Sequence, residues 1–439
     1  MDPARTTCIL FAPPSSGPLG PPLFGLQLVE RTVLAFLRAG VRRFVLTGDP
    51  EAVKDIACVL ETGRCQEARV RALGPTESLV SLLERQEACF AARTDYFYDR
   101  RLVARFVETT RAAEATVAAV DCRAEALAAQ DGAPRTAGWG GAEPSASLRA
   151  AGRGLLAPVG VLTGLARVTP SFARAFEDAP PEYRAIENAL TLLARREPVQ
   201  TFSVAELWQS LRNDHARDAD LVLARRKVLG GAVGVSDGII ARHLNRPVSR
   251  RITERLLSRD VKPWQISLAS FGAILGAGLS FAVGHATTGG LIAQFAAVLD
   301  GVDGELARIR YQDSPFGGVY DAFLDRIGDA VLIGGMTLYA WFAGAGLSAV
   351  LLGFGAVAGS SLSMLVKEKY AAQFHRRYAA EREGRLRWFL LGRDGRLFLS
   401  LLAGLTGHVE AVLAYLAVGT HVHAGVRIYR IRSETARTA

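Results

Sequence analysis

The sequence predicts a chain in two unlike parts. Residues 1–230 read as an α/β domain, residues 263–439 as an all-α membrane domain of six transmembrane helices, and residues 231–262 as an amphipathic helix joining them. Three observations carry this. Strand-like and helix-like segments alternate through the first ~230 residues, as α/β folds require. From Lys262 onward, long apolar runs follow one another with few charges. The lysines and arginines between those runs fall on one side of the implied bundle. Averages over all 439 residues, a net charge of +9 with 49% hydrophobic and 22% charged residues, conceal this division but exclude a disordered chain.

In the first part, Cys8–Phe11 reads as an apolar strand and Leu26–Ala39 as a helix with Leu28, Val29, Val33, Leu34 and Leu37 on one face. Arg43–Thr47, Ala68–Leu73 and Cys89–Ala92 read as further strands, and the Gly-, Ala-, Ser- and Pro-rich stretch Ala133–Gly154 as a flexible loop. The five cysteines, Cys8, Cys58, Cys65, Cys89 and Cys122, are odd in number and form no CxxC pair. They argue against a disulfide framework or a zinc site and for a reducing compartment. The opening stretch, with its short apolar run broken by prolines, has no signal-peptide pattern.

In the second part the apolar runs are Ile266–Gly284, Thr288–Leu299 (continuing to Arg308), Val319–Ala343, Leu347–Val366, Leu397–Leu405 and Val409–Val426. A spanning helix needs ~20 mostly apolar residues, so the fifth reaches that length only by including Arg396 and His408. The turns near His285, Gly344 and Thr406 contain no lysine or arginine. The opposite turns carry Arg308, Arg310, Lys367, Lys369, Arg376, Arg377, Arg382, Arg385, Arg387, Arg393, Arg427, Arg430 and Arg432. By the positive-inside rule both ends of the chain and the charged face are cytoplasmic. Before the first run, Ile239, Ile240, Leu244, Val248, Ile252 and Leu256 recur at helical spacing, with Arg242, Arg246, Arg250 and Arg255 on other faces. This is a basic amphipathic helix suited to a membrane interface and its lipids. The arginines lack interleaved aromatics and adjoin a span, which argues against a nucleic-acid partner.

Charged residues inside spanning helices are costly and mark function. Asp300 and Asp303 are three apart and Asp321 and Asp325 four apart, so each pair shares a helix face. The short connection holding Ser314, Pro315 and Gly317 returns the second helix beside the first, so the four carboxylates converge. Oxygen donors of this kind suit Mg²⁺ or Mn²⁺, in one or two ions, and not zinc. Gly304 and Gly317 allow a bulky group close to the backbone, and Ala307 keeps that face open one turn further. Lys367, Lys369, Arg393 and Arg396, near the cytoplasmic ends of the fourth and fifth spans, are candidates to bind a phosphate group.

The run DGVDGELARIRYQDSPFGGVYDAFLD meets every fixed position of the pattern D-x2-D-G-x2-A-R-x8-G-x3-D-x3-D: Asp300, Asp303, Gly304, Ala307, Arg308, Gly317, Asp321 and Asp325. In this it resembles the signature of the CDP-alcohol phosphotransferase family. The resemblance implies a six-helix membrane enzyme that transfers a phosphoalcohol group from a CDP-alcohol donor to an acceptor hydroxyl and releases CMP. It implies two metal ions held by Asp300, Asp303, Asp321 and Asp325, with Asp325 also the general base. Gly304, Ala307, Arg308 and Gly317 would receive the CDP moiety, and the enzyme would be a homodimer. The acceptor is either a soluble phosphoalcohol such as inositol phosphate or a lipid alcohol. The competing class is a non-catalytic membrane protein that binds metal or nucleotide.

The stretch LFGLQLVERTVLAFLRAGVRRFVLTGD, with the strand and loop before it and Asp95 in RTDYFYD, resembles the sugar-phosphate nucleotidyltransferases. The pairing of such a domain with the membrane signature resembles the bifunctional enzymes that make di-myo-inositol phosphate. The first domain departs from the pattern at its chemistry. Its phosphate loop reads APPSSGPLGPP, where Pro13, Pro14, Pro18, Pro21 and Pro22 lack the N–H that would cradle phosphate. No lysine or arginine occurs between Arg5 and Arg31. The later W-x-D-x-D pattern appears as Trp208-Gln209-Ser210-Leu211-Arg212, without its acidic pair. The expectation is a nucleotidyltransferase-like (Rossmann-like) domain that has lost catalysis and serves as scaffold or regulator.

Overall fold

Runs of wholly buried apolar residues set the backbone pairing of the first part. In this computed structural model, residues 6–12, 22–74, 77–86, 88–121, 136–139, 148–152, 160–179, 185–204, 208–210, 218–232, 238–374, 378, 384 and 388–438 are described. The chain divides into two compact units, Met1–Gly231 and Ala232–Ala439.

The first unit runs β1 (Thr6–Ala12), α1 (Leu28–Arg38), β2 (Arg43–Gly48), α2 (Pro50–Thr62), β3 (Arg69–Ala72), α3 (Leu79–Glu84), β4 (Ala88–Arg93), β5 (Tyr96–Tyr98) and α4 (Arg100–Thr110). It continues with β6 (Val117–Asp121), β7 (Thr136–Trp139), β8 (Leu148–Gly152), β9 (Gly160–Val168), α5 (Pro170–Glu177), α6 (Ile186–Ala194), β10 (Gln200–Ser203), β11 (Trp208–Ser210) and α7 (Asp218–Gly231). The main sheet has the order β10-β6-β9-β4-β1-β2-β3. β1 is buried along its whole length and pairs in parallel with β2 and β4. A continuous apolar strand of this kind is covered on both faces. β9 lies antiparallel between β4 and β6. Ile9, Phe11, Ala91, Val120, Leu162, Phe172 and Leu190 share the core on one side of the sheet.

The region Ala133–Gly154 is not all loop. It contains β7 and β8, which pair antiparallel, and β7 continues onto β9. Glycine and alanine carry little strand signal, so the composition of this stretch reads as loop. Pro13, Pro14, Pro18 and Pro21 lie outside the described residues. β11 pairs antiparallel with β5, with Ser210 opposite Tyr96. The Asp95 carboxylate accepts from Arg93 Nε at 2.8 Å and Nη2 at 2.6 Å. Arg93 is buried, also pairs with Glu187 at 3.3 Å, and lies over the Tyr96 ring. Cys8, Cys58, Cys65 and Cys89 are free thiols, and burial pushes Cys65 and Cys89 up to about 12.

The second unit is helical. A π turn at Ala241–Asn245 leads into α8 (Arg246–Leu257), followed by α9 (Pro263–Ala282), α10 (Ala286–Ile309), α11 (Pro315–Ala340), α12 (Leu347–Phe374), α13 (Arg393–Thr406) and α14 (Val409–Thr438). Among the described residues, four helical stretches are long and apolar enough to cross a membrane: Pro263–Ala282, Pro315–Ala345, Leu347–Phe374 and Val409–Ser433. α10 is less apolar, with Asp300, Asp303, Glu305 and Arg308 in its last turns, and α13 is 14 residues long. α9 and α11 pack at Gly278 and Gly335, where an added Cβ on either would strike the other's backbone. α10 and α13 meet in the same way at Gly290 and Gly404. Small residues at crossings let helices approach where no hydrophobic drive separates protein from lipid.

Candidate active site

α10 buries Val302, Asp303, Glu305, Leu306 and Ile309 but leaves a half-buried stripe of Asp300, Gly304, Ala307 and Arg308. These positions recur at helical spacing, so the stripe is one face of the last turns. α11 starts beyond a tight connection. Ser314 caps it, its Oγ accepting from the Gly317 N–H at 3.0 Å, and Pro315 opens the first turn. Two turns in, α11 presents Asp321 and then Asp325.

Carboxylate oxygens of Asp300, Asp303 and Asp321 lie within 4.8 Å of one another. Asp303 is the buried member, and Ser267 on α9 donates to its Oδ2 at 2.6 Å. Asp325 is outside this triplet but joined to it by Arg393, the first residue of α13. Arg393 reaches Asp300 at 2.6 Å and Asp325 at 2.8 Å. Three carboxylates this close repel one another unless positive charge lies among them. Arg393 on one flank and Arg308 across Gly304 offset only part of the charge of the four carboxylates, and the donors left over are all oxygens. The residues therefore fit a divalent cation held by oxygen donors.

The remaining expected residues fall in two groups. Gly304, Ala307, Arg308 and Gly317 border the triplet. The Arg308 guanidinium lies across Gly304, where a Cβ would come within 3.0 Å of it, and its Nε donates to the Ala232 carbonyl at 2.5 Å. Lys367 and Lys369 stand on the last turns of α12, the first half-buried and the second exposed. Arg396 is buried. It donates to the Leu391 carbonyl at 3.1 Å and pairs with Asp329, one turn beyond Asp325.

Sequence reasoning did not single out Ser267, Glu305 or Asp329. Glu305 is 1% exposed, and its carboxylate accepts from Arg246 (2.8 Å), Ser249 (2.8 Å) and Thr253 (2.6 Å) of α8. Gly301 makes the approach possible, since a Cβ there would sit 3.1–3.2 Å from Arg246 and Ser249. A charged residue in an otherwise apolar helix was the available signal for Glu305, and the i+4 continuation from Asp325 was the signal for Asp329. Removing one partner of a buried, hydrogen-bonded charge costs roughly 3–5 kcal/mol. Glu305→Ala is therefore expected to lower the thermal unfolding midpoint of the detergent-solubilised protein strongly, whereas the exposed Glu410→Ala leaves it nearly unchanged.

Residues 262–423 match the family model described as CDP-alcohol phosphatidyltransferase. The chain is similar to a bifunctional IPC transferase and DIPP synthase of Rubrobacter xylanophilus, 40% identical over 204 residues, covering 46% of this chain and 43% of that protein. A protein of the same description from Aquifex aeolicus is 28% identical over 277 residues, covering 61% of this chain and 60% of the relative. That match is longer than the second unit and so reaches into the first. The chain thus spans about half the length of the curated relatives it matches. Among solved structures, the inositol-1-phosphate CTP transferase from T. maritima aligns over 50% of this chain and 95% of its own, at 16% identity and a TM-score of 0.38, too slight a likeness to carry an argument. With the eight signature residues and the aspartate triplet inside the matched region, residues 262–423 form a CDP-alcohol phosphatidyltransferase domain, the domain of a transferase family.

Proposed function

We propose that the second unit transfers a phosphoalcohol group from a CDP-alcohol to an acceptor hydroxyl with release of CMP. The observation that carries this reading is the oxygen triplet of Asp300, Asp303 and Asp321 with Asp325 one turn away and Arg393 between them. Asp300, Asp303 and Asp321 would hold the divalent cations, Mg²⁺ or Mn²⁺. Bound there, these would offset the charge of the diphosphate and of the departing CMP. The half-buried face of Gly304 and Ala307 leaves room for the cytidine, with Gly317 at the opposite edge and Arg308 beside the phosphates. The acceptor oxygen bonds to the phosphorus that carries the alcohol, and the bond from that phosphorus to the bridging oxygen breaks. CMP leaves with the electron pair. The Asp325 carboxylate accepts the proton of the attacking hydroxyl.

The setting is a membrane. α10 and α13 would complete six spans with the four long apolar stretches, since their charges are met inside the protein. α8 supports an interfacial position by its inverted packing. Arg246, Ser249 and Thr253 are buried, while Leu244 and Val248 are exposed. That arrangement suits a helix whose apolar side meets lipid. The positive side of the bundle, with both ends of the chain and the aspartates, would be cytoplasmic. Of the four basic candidates for an acceptor phosphate, Arg393 bridges Asp300 and Asp325, and Lys367 and Lys369 stand on the last turns of α12. The Arg396 guanidinium is taken up by Asp329.

The acceptor we favour is a soluble phosphoalcohol such as inositol phosphate, supported by a likeness to the bifunctional relatives that reaches into the first unit. A lipid alcohol is the second reading, favoured by the first turns of α11, where Phe316, Val319 and Phe323 are exposed beside Asp321. Incubation of membranes with CDP-inositol or a CDP-lipid and each acceptor class, with CMP release measured and products identified by mass spectrometry, decides between them. No metal-dependent CMP release from any pair would leave a non-catalytic metal- or nucleotide-binding protein. The first unit is proposed to be a scaffold or regulator. Arg93 occupies the Asp95 carboxylate on both oxygens, and serine stands at position 210, where the W-x-D-x-D pattern has an acidic residue. The full chain given CTP and inositol phosphate is accordingly expected to release no pyrophosphate; release at an enzymatic rate would overturn that assignment.

A further inference from the structure

Asp321, Asp325 and Asp329 occupy successive turns of one face of α11. The first two belong to the signature and the third does not. Asp329 is buried, and its Oδ2 accepts from Ser360 of α12 at 3.2 Å and from the Arg396 guanidinium of α13. One turn back along α13, Arg393 spans Asp300 and Asp325. Two charged rungs therefore join α11 to α13: Asp325 to Arg393 at the site, and Asp329 to Arg396 behind it. The spacing is four residues on α11 and three on α13, so both rungs lie on facing sides of the two helices. The rear rung is the more enclosed, with both side chains under a tenth exposed, and Leu391 and Ser360 accept or donate its remaining bonds. The front rung is open enough for Asp300 to be a quarter exposed.

We propose that Asp329 is a positioning residue: by holding Arg396 it sets the height and rotation of α13 so that Arg393 reaches both Asp300 and Asp325. A guanidinium has a fixed planar fork, and two carboxylates on different helices accept from it only at one placement of its helix. An unheld α13 could turn or slide by a fraction of a residue, and either motion would separate Arg393 from one of its two partners. Other contacts also hold α13, Thr287 of α10 donating to the Gly404 carbonyl at 2.9 Å and Asn245 to Asp394 at 3.0 Å, and the Asp329–Arg396 rung adds the charged tie to α11 one turn from Arg393. Ser360 adds the third helix to the same carboxylate, so the register of α12 is tied to it as well.

This proposal rests on the transferase reading above, and a double-mutant cycle separates the two. Asp329→Asn keeps the shape and an acceptor oxygen. Read on full-length protein in detergent, it is expected to lower kcat for CMP release about 30-fold, with KM changed less than ~3-fold, as misplacement of a catalytic constellation does. In an Arg393→Ala background the same change should cost less than ~2-fold, because two residues acting through one arrangement are not additive. Mn²⁺ titration followed by electron paramagnetic resonance repeats the cycle without turnover: Asp329→Asn should shift the Mn²⁺ Kd in the parent and leave it unmoved when Arg393 is absent. Equal losses in both backgrounds, with equal Kd shifts, would make Asp329 a stabilising residue only and sink the proposal. If the parent releases no CMP, the transferase reading falls and the Mn²⁺ cycle alone decides the positioning role. Should Asp329→Asn fail to fold, the exchanged pair Asp329→Arg with Arg396→Asp is expected to restore the rung and at least a tenth of parental kcat. A folded exchange variant without activity and without Arg393-dependent Mn²⁺ affinity would overturn the proposal.

Discussion

Asp321→Asn is expected to lower CMP release by more than about a thousandfold at any practical Mg²⁺ or Mn²⁺ concentration, since a lost ~4 kcal/mol of transition-state stabilisation corresponds to that factor. The reason lies in the triplet. The oxygens of Asp300, Asp303 and Asp321 lie within 4.8 Å of one another, so each is a large share of the donor set. Asparagine keeps the size and one carbonyl oxygen but removes the charge that attracts the cation. The expected signature is a loss of Mn²⁺ affinity together with activity, measured by titration on the same preparation. Asp303→Asn should behave alike, with an added cost from Ser267, whose hydroxyl would then face a neutral amide. Retained Mn²⁺ affinity in both variants would remove these residues from the cation site.

Asp325→Asn is expected to lower kcat by roughly a thousandfold, within the range that removal of a positioned general base produces. Its second readout separates it from Asp321→Asn. Asp325 stands outside the closest set of oxygens and is held by Arg393 at 2.8 Å. Mn²⁺ affinity should therefore change by no more than about threefold, against the larger loss expected when a donor is removed. An affinity loss as large as that of Asp321→Asn would make Asp325 chiefly a ligand, and unaltered CMP release would end its role as base.

Much of this site is legible in the amino-acid sequence. The spacing of Asp300 with Asp303, and of Asp321 with Asp325, places each pair on a helix face, and Ser314-Pro315 marks where the second helix starts. These are local properties, set by 3.6 residues per turn and by capping chemistry. Hydropathy locates the helices of the second unit but misjudges the fifth. α13 starts at Arg393 rather than Leu397, because Arg396 is neutralised inside the protein by Asp329, and a charge so paired does not end a buried helix. The same limit applies to α8. Its amphipathic pattern is plain, yet the polar face is the one packed on the protein, through Glu305. In the first unit, β7 and β8 are hidden because glycine and alanine carry no strand signal.

By itself, then, the sequence determined which residues carry charge into apolar helices, and how those charges repeat along each helix. That follows from helical period and from the cost of burying charge. Only the tertiary structure decided which charges meet. Arg393 with Asp300 and Asp325, Arg396 with Asp329, Ser267 with Asp303, and Glu305 with α8 join residues 36 to 93 positions apart, or bridge separate helices. No periodicity encodes such pairings. They depend on how closely helices approach at Gly278 and Gly335 or at Gly290 and Gly404, and on each buried charge finding the partner without which burial would be too costly.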